Sequence, residues 1–265
     1  VASLVKNLKS LTIVKIKQIT RICMMIKNLM LSTLIFFIAL PVFAADSIKS
    51  LPFKEKSISK AEIRSICQQI KLSCDESGAK LWVVKIAEAE KYYLINENLQ
   101  MIQLSKHLGK YQIVDYWDLT RYQQVYALEE NEISEEFIYP ALYPLNRNSY
   151  AVALVFSSST SYAGGGRSEQ IAQFIQLLPK GKAHRVLEDI PFYSYERIKA
   201  CFGEQDYKRS SSHCHDEHYT VLSINYQDIG KPYYQWDLTY TETDWPADKA
   251  RKKVRKRTVV VTPYR

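Results

Sequence analysis

The sequence predicts an α+β or mainly β fold: an antiparallel β-meander with one N-terminal helix, in an exported, disulfide-bearing domain. Three observations predict it. Short runs rich in β-branched and aromatic residues, separated by turn chemistry, follow one another from Leu81 onward. A single capped helical stripe precedes them. Four cysteines remain once a signal-like N-terminus is set aside.

Met24 or Met25 opens a short region carrying Lys27, Leu29 to Leu40 is apolar, Pro41 breaks the run, and Val42 and Ala44 are small residues before a cut. Residues 24–44 therefore read as a signal peptide cleaved after Ala44. The apolar run falls short of the roughly 20 residues that span a bilayer, so no stable membrane span is expected after cleavage. Residues 1–23 read as an upstream extension, and 45–265 as a single mature domain of periplasmic or secreted location. Residues 1–44 hold six basic residues and no acid, so removing them takes the formal +8 to +2. Overall basicity thus gives no case for a nucleic-acid partner.

In the mature part, Ser59 and Glu62 form a capping box, and Ile63, Ile66, Cys67 and Ile70 recur at helical spacing, with a stop expected near Lys71. Cys67, Cys74, Cys201 and Cys214 allow three connectivities. Proximity favours Cys67 with Cys74 and Cys201 with Cys214, and an oxidising compartment favours pairing. A four-cysteine zinc site would want a CxxC pair, which the sequence lacks.

Strands are expected at 81–86, 91–95, 111–117, 137–139, 150–156, 171–178, 184–187, 219–226, 233–240 and 258–262. The clearest hairpin spans Ile171 to Leu187, with Pro179, Lys180, Gly181 and Lys182 at its turn. A helix is the rival there, because Ile171, Phe174, Ile175 and Leu178 also match helical spacing. Tyr150 to Phe156 is apolar almost throughout and reads as a central strand buried on both faces.

Several constellations could carry chemistry. His213, His215 and His218 lie within six residues beside Cys214, Asp216 and Glu217, a concentration able to bind zinc or copper. On an extended chain His213 and His215 share a face and His218 takes the other, and neither HExxH nor HxxEH is matched. A polar loop tethered by a disulfide is the plainer expectation. The stretch Ser157 to Ser168, with Gly164, Gly165 and Gly166, lacks the Gly-Lys-Ser/Thr of a phosphate loop and the Gly-x-Ser-x-Gly of a nucleophile elbow, so it reads as a flexible connection. Glu129, Glu130, Glu132, Glu135 and Glu136 do not follow calcium-loop spacing and read as a solvated acidic turn.

The run Lys249 to Arg257 packs seven basic residues into nine positions. Arg251, Lys253 and Arg255 are its candidate partner-binding residues, for an acidic protein or an anionic envelope surface. A short solvated helix before the last strand, or charges guarding an edge strand, are the local alternatives. All nineteen tyrosines lie in the mature part with Trp82, Trp117, Trp236 and Trp245, a composition that suits interfaces and half-buried strands alike.

With no catalytic template in sight, the expected function is a non-enzymatic periplasmic or secreted module that binds a protein or a cell-envelope component. No cofactor is expected. The alternatives are a zinc- or copper-binding envelope protein using His213, His215 and His218, and a hydrolase of unrecognised pattern.

Overall fold

The computed structural model describes residues 48–70, 74–86, 88–127, 131–209 and 213–264. The leader at 24–44, its cut after Ala44 and the extension 1–23 lie outside the described residues, as do 71–73, Glu129 and Glu130.

The chain is mainly β and folds into two antiparallel sheets. An extended segment begins both of them. Its first part, β1 (Leu51–Pro52), joins the larger sheet, and its second, β2 (Lys54–Lys56), joins the smaller. Phe53 lies at the crossing, buried, its N–H donating to the Pro140 carbonyl at 2.9 Å and its ring stacked on Tyr93 at 5.0 Å.

Helix α1 (Lys60–Cys67) starts at the Ser59–Glu62 capping box, with both reciprocal bonds present. It ends at Cys67, short of Lys71, because Gln69 and Ile70 bond back three residues to Ile66 and Cys67 and tighten the last turn. Cys67 pairs with Cys74 across a Cα separation of 5.3 Å, and Cys201 pairs with Cys214 at 5.2 Å.

The smaller sheet is a meander of β2, β3 (Lys80–Ile86), β4 (Ala89–Ile95), β5 (Gln100–His107) and β6 (Lys110–Asp118). Period-two alternation divides its side chains. Tyr92 and Leu94 pack with Ile63 and Ile66 of α1, whereas Tyr93 and Ile95 turn to the opposite side. There they meet Val152, Leu154 and Ile175 of the larger sheet.

That sheet runs β1, β7 (Ile133–Pro144), β8 (Tyr150–Tyr162), β9 (Gly165–Leu177), β10 (Ala183–Lys199), β11 (His215–Gln227), β12 (Gln235–Trp245) and β13 (Lys253–Val261). A short helix, α2 (Glu204–Arg209), lies between β10 and β11. Ala151 to Val155 of β8 are wholly buried, consistent with a strand covered on both faces. Ile171 to Leu187 is a strand hairpin and not a helix.

The Ser- and Gly-rich stretch corrects the expectation of a flexible connection. β8 runs through Tyr162 and β9 begins at Gly165, so the stretch forms the two arms of a hairpin. A Cβ on Gly165 would stand 1.8 Å from the Arg197 carbonyl oxygen of β10, and one on Gly166 2.9 Å from that of Thr160. These glycines serve close strand approach rather than mobility. The acidic stretch is corrected as well, since Glu135 and Glu136 belong to β7.

The larger sheet curls on itself. In a flat sheet, strands about 4.8 Å apart would set β12 about 24 Å from β7 and about 14 Å from β9. Instead the Trp236 ring of β12 lies 6.3 Å from Tyr143 of β7 and 4.9 Å from Phe174 of β9. Its indole N–H donates to the Pro144 carbonyl at 3.1 Å, and the Tyr234 N–H donates to that of Leu145 at 2.8 Å. The start of β12 is thereby tied to the end of β7, and a partly closed barrel results.

Candidate binding cleft

The barrel is open at one side, and the cause lies in β10. Tyr193 to Lys199 pair with β11, whereas Ala183 to Pro191 pair with β9 alone. Three register shifts interrupt the β10–β9 ladder, at 185–187, 187–190 and 191–193. Such bulges bend a strand and increase its twist. Pro191, which has no N–H to offer, sits in the half that lacks a second neighbour. Beyond Val221, β11 leaves β10 and leans with β12 towards the Trp236 core.

A cleft of about 440 Å³ occupies the concave side at this split. Tyr139, Ala141 and Tyr143 of β7 form one wall, and Phe192 and Tyr193 of β10 the facing one. Val221 to Ile224 of β11 and Gln170 of β9 line the rest, with Ser50 and Pro52 at the end beside β1. The Tyr139 and Phe192 rings meet edge to face at 5.1 Å, bridging strands three apart. Tyr139 and Val221 are 38% and 44% exposed, so the mouth offers apolar surface to solvent.

The lining is uncharged. Among the described residues it contains no Asp, Glu, Lys, Arg or His. Burial pushes the Tyr143 hydroxyl well above the usual tyrosine range, and burial also raises that of Tyr193, with smaller contributions from Tyr195 and Tyr219. The hydroxyls of Ser50 and Ser223 are already engaged, Ser50 with the Tyr226 hydroxyl at 2.6 Å and Ser223 with the Thr239 carbonyl at 3.3 Å. The cleft is therefore walled by aromatic and aliphatic side chains, and its polar groups beyond those serines are the phenol hydroxyls of Tyr139, Tyr143 and Tyr193 and the Gln170 amide.

The residues singled out by sequence lie elsewhere. His213 precedes β11, its ring 3.8 Å from that of Trp245 and its Nε2 3.2 Å from the Trp245 carbonyl oxygen. His215 faces Lys199 in the ladder. His218 stands across from Asp244, with Nδ1 to Oδ1 at 2.7 Å. The other Asp244 oxygen accepts from Arg255 at 3.0 Å. The Asp244 carboxyl is held below its usual range by the His218 hydrogen bond first, then by the charges of His218, Arg255 and Lys253. Asp216 accepts from the Ala247 N–H at 2.8 Å. Among the described residues, no three His, Cys, Asp or Glu side chains form a group able to hold a metal. A cation at His218 Nδ1 and Asp244 Oδ1 would have to replace the hydrogen bond between them, beside the Arg255 guanidinium on the other oxygen.

Of the two local readings of the basic run, Lys253 to Arg257 follow the edge strand and not the solvated helix, since they begin β13, the last strand of the larger sheet. Arg255 pairs with Glu242 at 3.9 Å and with Asp244, so the sheet already neutralises part of the candidate set Arg251, Lys253 and Arg255. The cleft itself escaped sequence reasoning. Pro191 inside an apparent strand is its one local signal.

No family model matches the chain, and neither a curated protein nor a solved structure does. Among the described residues, no helix is long and apolar enough to cross a membrane.

Proposed function

We propose that this protein is an exported, non-enzymatic module that holds an uncharged apolar envelope component, of the acyl-chain class, in the cleft between β7 and the β10–β11 split. The observation carrying this reading is the cleft's composition: facing aromatic and aliphatic walls with no acid or base among them. Its volume falls within the range of roughly 300–1,000 Å³ usual for small-molecule sites. Barrels of about eight strands either fill with side chains or hold one small ligand. Here Trp236, Phe174 and Tyr143 fill one end, and the other is left open. Two disulfides support residence in an oxidising compartment.

The test uses uncharged monoacylglycerols of graded chain length, read by displacement of a naphthalene-type fluorophore. Burying each added methylene gains about 0.8 kcal/mol. Affinity should therefore climb roughly fourfold per methylene until the cleft is full, then level off. Val221→Glu, which sets a carboxylate at the exposed rim, should abolish the climb while leaving the melting temperature within a few degrees. Affinity independent of chain length, or displacement by a neutral oligosaccharide instead, would overturn the acyl reading.

A further inference from the structure

The second surface is the outer edge of β13. It is the last strand of the larger sheet, and among the described residues nothing pairs with its outer side. An edge of nine residues leaves a row of backbone donors and acceptors ready for another strand.

Two chemistries divide it. Lys253, Arg255, Lys256 and Arg257 occupy the first half, while Thr258, Val259, Val260 and Val261 carry no charge. Val260 is 58% exposed and Val259 36%. Charges that only guard an edge would be wanted most where it is apolar, and there they are missing. The cations also straddle the sheet. Lys253, Arg255 and Arg257 oppose Asp244, Glu242 and Tyr240, whereas Lys256 lies on the other face. A flat anionic membrane would meet one face only, whereas an edge-on strand runs between both sets. A second copy fits less well, because full-register antiparallel pairing of two β13 edges would set Arg257 against Arg257 and the remaining cations against uncharged Thr258, Val259 and Val261, leaving them without acidic partners.

We propose that β13 receives, by strand addition, an extended acidic segment of a partner protein, with its carboxylates beside Lys253, Lys256 and Arg257 and its apolar residues beside Val259 and Val260. Main-chain hydrogen bonds supply affinity in this mode, and side chains supply selectivity. Of the four strand cations, Arg255 is already committed to Glu242 and Asp244. It is a positioning residue, and the test leaves it unchanged.

The experiment titrates the full chain with fluorescent eight-residue Thr/Val peptides bearing four glutamates in one half, in both sequence directions. One direction should bind, and more weakly as salt rises, since exposed charges are screened over a Debye length of about 8 Å at physiological ionic strength. Lys253→Glu with Lys256→Glu and Arg257→Glu should weaken binding roughly tenfold or more, three exposed ion pairs being lost. Backbone N-methylation separates strand addition from charge attraction alone. Methylating one alternate set of peptide nitrogens should abolish binding, and methylating the other set should not. Failure of both directions to bind, equal binding of both methylated peptides, or capture of anionic vesicles in preference to the peptide would each overturn the proposal.

Discussion

If the larger sheet curls so that β12 packs against β9, then Trp236 and Phe174 must be energetically coupled although three strand spacings separate them along the sheet. Both are fully buried, with ring centroids 4.9 Å apart at 89°, an edge-to-face geometry. Such aromatic pairs contribute about 0.5–1.5 kcal/mol beyond the area they bury. Trp236→Leu and Phe174→Leu each remove part of a large core side chain, at a cost of about 2 kcal/mol apiece, below the roughly 3–5 of truncation to Ala. Leucine also removes the indole donor to the Pro144 carbonyl, which adds about 1 kcal/mol to the tryptophan variant. The assay is urea unfolding followed by far-UV circular dichroism with disulfides intact, on wild type, both single variants and the double. The expected coupling is about 1 kcal/mol, the double variant losing less than the sum of the singles. In a flat sheet the two sites would stand about 14 Å apart, and sites so separated add within about 0.3–0.5 kcal/mol. Strict additivity would refute the curled sheet, and with it the cleft.

Gly165→Ala should lower stability by about 1–3 kcal/mol, because the added methyl meets the Arg197 carbonyl oxygen at 1.8 Å, whereas Gly164→Ala, with its nearest neighbour at 3.8 Å, should be near neutral in thermal melts. Replacing Cys201 and Cys214 together by Ser should cost about 2–3 kcal/mol for the loop released, and a non-reducing peptide map should recover both pairs. Asp244→Asn tests the ladder of His218, Asp244 and Arg255: a depressed carboxyl stabilises the fold above the ordinary aspartate value of about 3.9 and loses that contribution as pH falls through its folded value. The gap between wild type and variant in urea midpoint should thus be steady near neutrality and close in acid. Glu136 has the opposite sign, since burial raises its carboxyl against hydrogen bonds from Gln123 and Gln124. Glu136→Gln should leave the midpoint unchanged or raise it at pH 7, with no advantage below the glutamate range.

What the sequence disclosed was local. The Ser59–Glu62 capping box spans one helical turn, and each disulfide closes a short loop, so their physics sits within a few residues. Strand cores such as Ala151 to Val155 announced themselves by apolarity. Strand length did not, because the distal halves of β8 to β11 are polar and half-exposed, held by ladder bonds that no side-chain pattern records. The segment Gln100 to His107 escaped as β5 because Met101 and Ile102 are buried in different clusters, on opposite faces, while Ser105 to His107 are exposed, so no period-two pattern marks it. The curl was beyond reach, since it depends on Trp236 finding Pro144, 92 residues away. The partners of the histidines were hidden for a related reason: the ladder sets His218 against Asp244 while His213 turns to Trp245, and proximity in sequence says nothing of those partners.

Charge segregation, too, looks different once strands are paired. Removing the seven cations of 249–257 and Arg265 from the mature total of +2 leaves −6 for residues 45–248, as though the basic run faced a distant acidic body. Part of that negative charge in fact lies one strand away: Glu242 and Asp244 on β12 meet Arg255, and Asp248 meets Lys249 at 2.9 Å. Lys252 and Arg257 are laid over aromatic rings, the first 4.3 Å from Trp245 and the second 4.7 Å from Tyr240. A partner strand on β13 would therefore meet a field centred on Lys253 and Lys256, with Arg257 presented from its ring, and not seven equal charges. The salt dependence of binding should reflect about three ion pairs, and a substitution at Arg255 should disturb the sheet's own ladder before it disturbs any partner.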